Sequence, residues 1–127
     1  MRNKTIVING QVTELRSREH LISTLEAASS EGYLEIWMRG EGESALCIMT
    51  NTNSAFLMYL RHEGDAGFRS NNRFGDEGRT QEFKLSNGQV DLYPETWLTD
   101  KRNVKSALLT YFDSGVMDTR IDWIEEN

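Results

Sequence analysis

The chain has 127 residues, of which 38% are hydrophobic and 27% charged, a composition typical of a single globular domain over residues 1–127. Its formal net charge is −6, and the acidic excess lies in residues 31–127. Phosphate backbones and anionic bilayers repel such a surface, so we expect neither a nucleic acid nor a membrane as a direct partner, whereas a basic protein would be attracted.

The N-terminal third predicts a hairpin followed by a helix. Lys4–Ile8 and Gln11–Leu15 are short β-rich runs joined by Asn9-Gly10, a strong hairpin turn. Ser17 is placed to cap the helix that follows. The apolar residues of that helix recur at helical spacing and form one stripe: Leu21, Ile22, Leu25 and Ala28.

The middle of the chain predicts an antiparallel meander of three strands. Tyr33–Arg39 alternates apolar and polar residues, whereas Ala45–Thr50 and Ala55–His62 are apolar on both faces. Residues 63–80 hold four glycines without a periodic apolar pattern, which indicates a long loop. Long loops are often functional, so this segment is a candidate binding region.

The C-terminal part predicts a second hairpin, a second helix and a last strand. Gln81–Leu85 and Val90–Tyr93 form the hairpin, and Thr99 is placed to cap the helix. Gly115 is a natural helix stop, and Thr119–Ile124 is the final strand. The fold class is therefore α+β, a mainly antiparallel sheet with two helices.

The sequence holds few residues suited to catalysis. His20 and His62 lack metal-ligand spacing, and Cys47, the only cysteine, lies in an apolar strand where a buried thiol is expected. We expect no enzyme activity, no cofactor and no metal. A lone thiol does not indicate an oxidising compartment, and the apolar run Ile6–Ile8 is too short for a signal peptide, so we expect a cytoplasmic protein.

One face of the meander is a candidate interaction surface. Alternation predicts Trp37, Leu57 and Tyr59 on the face opposite Leu34 and Phe56. If both helices cover one face, the aromatic face is open and resembles a protein-binding patch. The alternative is that the second helix covers it.

The second half also resembles a known family. The run NGQVDLYPETWLTDKRNVKSALLTYFDSGVMDTRIDWIEEN is similar to the C-terminal half of the first immunity-protein family of bacterial polymorphic toxin systems. In that family an acidic, proline-containing loop leads into a helix that ends near a glycine, and the last strand carries a tryptophan followed by an acid. Gly115, Trp123 and Glu125 occupy those places, and the resemblance covers residues 30–127.

The resemblance implies an inhibitor that acts in interbacterial competition. Such proteins bind a cognate secreted toxin, often a nucleic-acid deaminase or nuclease, and occlude its active site or substrate cleft. Those clefts are usually basic, which agrees with the acidic charge of this chain. From exposure and chemistry we predict these partner-binding residues: Trp37, Glu41, Glu43, Tyr59, Glu63, Asp65, Phe68, Phe74, Asp76 and Glu77.

Two other functions remain open. The chain could be a small-molecule-binding or enzymatic domain whose pocket lies between the meander and residues 63–80. It could also be a structural subunit that assembles with itself through a sheet edge. The inhibitor hypothesis instead predicts a monomer or weak homo-oligomer when the toxin is absent.

Overall fold

A computed structural model describes residues 4–40 and 42–126. These residues form ten strands, two α-helices and one 3-10 turn. In chain order they are β1 (Lys4–Ile8), β2 (Gln11–Leu15), α1 (Arg18–Ala28), β3 (Leu34–Arg39), β4 (Ala45–Thr50), β5 (Ser54–Leu60), β6 (Phe68–Ser70), β7 (Thr80–Lys84), β8 (Val90–Pro94), the 3-10 turn Glu95–Trp97, β9 (Thr99–Asp100), α2 (Arg102–Ser114) and β10 (Trp123–Glu125).

The strands form one large antiparallel sheet and one separate hairpin. The large sheet has the order β10-β6-β5-β4-β3-β1-β2, with β9 paired to the start of β5. The separate hairpin is β7–β8. This arrangement confirms the predicted α+β class, the first hairpin and the β3–β4–β5 meander. Within the described residues, no helix is long and apolar enough to cross a membrane.

The two helices begin differently. Ser17 caps α1 as predicted, because its Oγ accepts a hydrogen bond from the backbone N–H of His20 at 3.0 Å. The predicted cap of α2 is wrong, since Thr99 lies in β9 and the helix begins at Arg102. The N-cap position is held by Lys101, whose side chain makes no capping hydrogen bond, and Asp100 Oδ1 accepts from the Arg102 backbone N–H at 2.9 Å.

The end of α2 is confirmed at Gly115. This residue has φ +72°, a left-handed conformation that favours glycine, and its N–H donates to the carbonyl of Tyr111 at 2.7 Å. The final strand is shorter than predicted and covers only Trp123–Glu125. Residues 118–121 form a turn in its place, because the Ile121 N–H donates to the carbonyl of Asp118.

Both helices cover one face of the large sheet and form the main core. Leu21 of α1 and Leu108 and Tyr111 of α2 are fully buried against it. The sheet supplies the apolar residues on that face: Ile6, Leu15, Leu34, Ile36, Met38, Leu46, Ile48, Ala55 and Leu57. Burying large apolar side chains of this kind contributes about 1.5–3 kcal/mol each before the entropy cost of ordering them.

The β7–β8 hairpin covers the opposite face and forms a second core. Phe83 is fully buried there against Cys47, Met49, Phe56 and Leu98. The sheet face that carries Trp37 is therefore covered over its central strands. The cover is this hairpin and not the second helix.

The side chains of β5 lie on the opposite faces of the sheet from those predicted. Phe56 pairs with Met49 on the hairpin side, and Tyr59 lies on the helix side with Leu57. Because β5 is apolar on both faces, alternation in the sequence does not show which of its side chains face the helices. The turn before β5 sets the register: Asn51 Oδ1 accepts from the Ser54 N–H at 2.7 Å, and pairing with β4 starts there.

The predicted loop 63–80 contains a strand. Phe68–Ser70 forms β6, whose residue Arg69 pairs with Met58 of β5. This strand has only three residues, and Ser70 is its one fully buried side chain. The sequence therefore shows no apolar periodicity there. Since β5 ends at Leu60 and β7 begins at Thr80, the loop segments on either side of β6 are 61–67 and 71–79.

The single thiol should be inert in the folded protein. Burial in the hairpin-side core, followed by repulsion from Glu35, raises the pKa of Cys47 from 9.0 to about 12. At neutral pH this lowers the thiolate fraction about 1,000-fold. We expect iodoacetamide to label Cys47 only after denaturation, as measured by mass spectrometry. Rapid labelling of the native protein would show that the hairpin opens readily.

Candidate protein-binding surface

The structure places the predicted site residues in separate regions. The turn 42–44 and residues 61–65 meet at one end of the meander, where Ala45 pairs with Leu60. Glu43 and Glu63 are exposed there and form no ion pair within residues 4–40 and 42–126. Glu41, also predicted for the interface, lies outside the described residues.

Asp65 is engaged inside its own turn, contrary to the expected exposure. Arg61 donates to its carboxylate from Nε at 2.8 Å and from Nη2 at 2.9 Å, and only 6% of the Asp65 side chain is exposed. These hydrogen bonds from Arg61 hold the pKa of Asp65 far below its ordinary value. The carboxylate therefore closes the turn after β5 and is not free for a partner.

Tyr59 and Phe68 are also held by neighbours. The Tyr59 hydroxyl donates to the carbonyl of Gly115 at 3.0 Å, and its ring packs 6.5 Å from that of Phe68. The guanidinium of Arg61 covers Phe68 at 5.0 Å from the ring centroid. Both rings join β5 and β6 to the end of α2, so their structural role explains their placement.

Trp37 is half-buried at the border of the hairpin-side core. Its indole N–H donates to Glu35 Oε2 at 3.1 Å, and Arg39 lies 5.2 Å from the ring centroid. Burial acts to raise the pKa of Glu35, but hydrogen bonds from Ser86 and Trp37 outweigh it, and the net shift is downward. This carboxylate therefore ties Trp37 to the turn of the β7–β8 hairpin.

A separate region, after β6, holds the most accessible aromatic side chain. We call residues 71–79 the Phe74 loop. The Phe74 ring is 91% exposed, although large aromatic side chains usually bury most of their surface. Asp76 and Glu77 follow it and are exposed. Three of the predicted site residues, Phe74, Asp76 and Glu77, are thus brought together.

Hydrogen bonds fix the backbone of the Phe74 loop. The N–H of Asn71 donates to the carbonyl of Asp122 at 2.9 Å, and that of Asn72 to Thr96 at 2.7 Å. Asn72 Oδ1 in turn accepts from the Phe74 N–H at 3.0 Å. A Cβ atom at Gly75 would lie 2.7 Å from the Glu95 carbonyl oxygen, so the loop packs closely against the 3-10 turn Glu95–Trp97.

The acids of this loop remain available. Asp76 Oδ1 accepts from the Gly78 N–H at 2.9 Å, which shapes the loop but leaves the carboxylate in solvent. Neither Asp76 nor Glu77 forms an ion pair within the described part of the chain. Arg73, in contrast, lies 3.7 Å from Asp122 and is partly neutralised by it.

The outer face of the β7–β8 hairpin, which follows the Phe74 loop along the chain, was missed by sequence reasoning. Leu92 is 60% exposed beside Glu82, and Val90 is 52% exposed beside Lys84. The alternation in β7, where Phe83 is apolar and its neighbours polar, could have indicated an inward and an outward face. We call the Phe74 loop together with Glu82, Lys84, Val90 and Leu92 the binding surface.

A small cavity adjoins the Phe74 loop. It lies between the meander and residues 63–80, where the small-molecule alternative places a pocket. Its volume is about 310 Å³, and Asn53, Asn72, Gln81 and Glu95 contribute polar groups to its wall. Within residues 4–40 and 42–126, no group of three His, Cys, Asp or Glu side chains is arranged to hold a metal ion. The small-molecule alternative stays a prediction.

The two histidines lie apart from the binding surface. His20 Nδ1 accepts from the Arg16 backbone N–H at 3.2 Å, at the start of α1. His62 Nδ1 lies 3.0 Å from the carbonyl oxygen of Glu63, in the turn after β5. Each ring is explained by its local backbone contact.

No protein-family model matches this sequence, and no curated protein is significantly similar to it. The resemblance to the immunity-protein family therefore depends on the sequence pattern described above. The geometry of the binding surface is independent of that resemblance.

Proposed function

We propose that the protein is an immunity protein that binds a cognate bacterial toxin and covers its active site or substrate cleft. The observation that supports this most is Phe74, an almost fully exposed aromatic ring on a loop whose backbone is held by hydrogen bonds. Aromatic side chains, phenylalanine among them, are enriched in protein–protein interfaces relative to the rest of the surface. The toxin would be a nucleic-acid deaminase or nuclease.

The ordering of the Phe74 loop favours tight binding. Association is opposed by the entropy of fixing loops and side chains at the interface. The contacts of Asn71, Asn72 and Gly75 already fix this loop in the free protein. Phe74 can therefore enter an apolar pocket without that additional loss of entropy.

The acids beside Phe74 match a basic partner. Asp76 and Glu77 are exposed and unpaired within the described residues, and Glu82 lies on the adjoining hairpin face. Carboxylates of this kind can meet the Lys and Arg side chains that a nucleic-acid enzyme uses for phosphates. The net charge of −6 would also accelerate the encounter with a basic toxin.

The proposal predicts a toxin gene beside this one, and the toxin domain that it encodes is the partner to test. Co-expression should rescue the growth of cells that carry the toxin, and the two purified proteins should elute as one complex from a sizing column. The double substitution Asp76→Lys/Glu77→Lys should lower the association rate about tenfold at low salt, and less at high salt, because the effect is electrostatic.

The matched control is Glu26→Lys/Glu31→Lys. Both residues are exposed near the end of α1, and the net charge changes by the same amount. A local role for Asp76 and Glu77 predicts a much smaller effect of the control. Equal slowing by both variants would reduce the role of these acids to net charge, and no complex with the toxin would contradict the proposed function.

A further inference from the structure

A groove between α1 and α2 gathers four basic side chains in a chain whose net charge is −6. Its volume is about 440 Å³. Arg18 comes from α1, Arg102 and Lys105 come from α2, and Arg120 comes from the turn before β10. The other lining residues are Ser106, Leu109, Thr110 and Asp113. The groove is distinct from the binding surface.

Aspartates hold the three arginines in place. The ion pairs are Arg18–Asp113, Arg102–Asp100 and Arg120–Asp118. These pairs neutralise three of the four positive charges. They also give each guanidinium group a carboxylate partner that orients it.

Arg120 is the most firmly positioned of the three. Its Nε donates to Asp118 Oδ1 at 3.0 Å and its Nη2 donates to Ser106 Oγ at 2.6 Å. Asp118 is only 3% exposed and also accepts from the Ser106 hydroxyl and the Arg120 backbone N–H. Burial acts to raise the pKa of Asp118, but these hydrogen bonds outweigh it and the net shift is downward.

Hydrogen-bond donors remain for a ligand. Lys105 is exposed and forms no ion pair within the described residues, so its charge is uncompensated. In that part of the chain the Nη1 groups of Arg102 and Arg120 also donate no hydrogen bond. Guanidinium and ammonium groups from different elements can together coordinate the several oxygens of one phosphate group.

We propose that this groove binds the phosphate group of a phosphorylated ligand. A phosphate group fits the Lys105 ammonium and the free guanidinium donors better than a carboxylate, because it offers three oxygens instead of two to donors from different elements. The volume exceeds that of one phosphate and leaves room for the group that carries it. The inference does not depend on the proposed function.

Calorimetric titration of the full chain with sodium pyrophosphate at low salt tests the site. We expect saturable binding with one site per chain. Lys105→Ala should weaken it at least about tenfold, as expected for loss of a charged hydrogen bond, and Arg102→Ala/Lys105→Ala should abolish it. Lys84→Ala on the β7–β8 hairpin is the matched control and should leave the affinity unchanged.

Two further measurements give the location and the source of the phosphate. Amide chemical shifts should move at Lys105, Ser106 and Thr110 on addition of pyrophosphate.

A phosphoserine peptide and its unphosphorylated form are titrated in parallel. Tighter binding of pyrophosphate would indicate a free phosphate compound, and tighter binding of the phosphopeptide would indicate a modified protein segment; either supports the proposal. Absence of saturable binding, or equal affinity of the double variant and the unaltered chain, would overturn it.

Discussion

Replacing Phe74 by alanine should weaken toxin binding by about 30- to 1,000-fold, the loss expected when a central aromatic residue is removed from an interface. The ring contributes little to folding, since 91% of it is exposed in the free protein. The midpoint of thermal unfolding should therefore stay unchanged. Calorimetry or surface plasmon resonance with the purified toxin domain measures the binding, and circular dichroism measures the unfolding.

Val116→Ala is a suitable control for that experiment. Val116 is also exposed, at 51%, but it follows α2, at the end of the meander opposite the Phe74 loop. Its removal should leave the affinity within about twofold of the unaltered protein, because it lies away from the binding surface. An affinity unaffected by Phe74→Ala would place the interface elsewhere on the molecule.

Local sequence rules predicted most of the elements. Asn9-Gly10, Ser17 and Gly115 each produce the turn, cap or stop that their chemistry favours. Prediction failed where long-range contacts decide. Phe56 and Tyr59 were placed on the wrong faces, because a strand buried on both sides carries no alternation.

The candidate site shows the same division between local and distant effects. Phe74, Asp76 and Glu77 were predicted from loop composition, and the structure leaves all three exposed. Asp65 has the same composition around it, yet Arg61 encloses its carboxylate. Only the three-dimensional path of the turn distinguishes these acids. Leu92 and Val90 were missed because their exposure depends on which side of the hairpin meets the sheet.

Ser70→Ala should lower the free energy of unfolding by about 2–5 kcal/mol, a large effect for the loss of one oxygen atom. The Ser70 side chain is fully buried. Its Oγ accepts from the Leu57 backbone N–H at 3.0 Å and donates to the carbonyl of Trp97 at 2.6 Å. Alanine would leave the buried Leu57 N–H and the part-buried Trp97 carbonyl without this partner, and each unpaired group costs about 1–3 kcal/mol.

The position of Ser70 connects this effect to the binding surface. Its hydroxyl joins β5 to the 3-10 turn Glu95–Trp97, and the same turn supplies the Thr96 carbonyl that holds the Phe74 loop. Urea unfolding measures the stability change, and hydrogen exchange should show faster exchange of the Leu57 amide. Ser23→Ala in the exposed part of α1 is the control, and it should change stability by less than about 0.5 kcal/mol. If Ser70→Ala retains full stability, another group or a water molecule must satisfy Leu57 and Trp97, and the loop would then be held independently of Ser70.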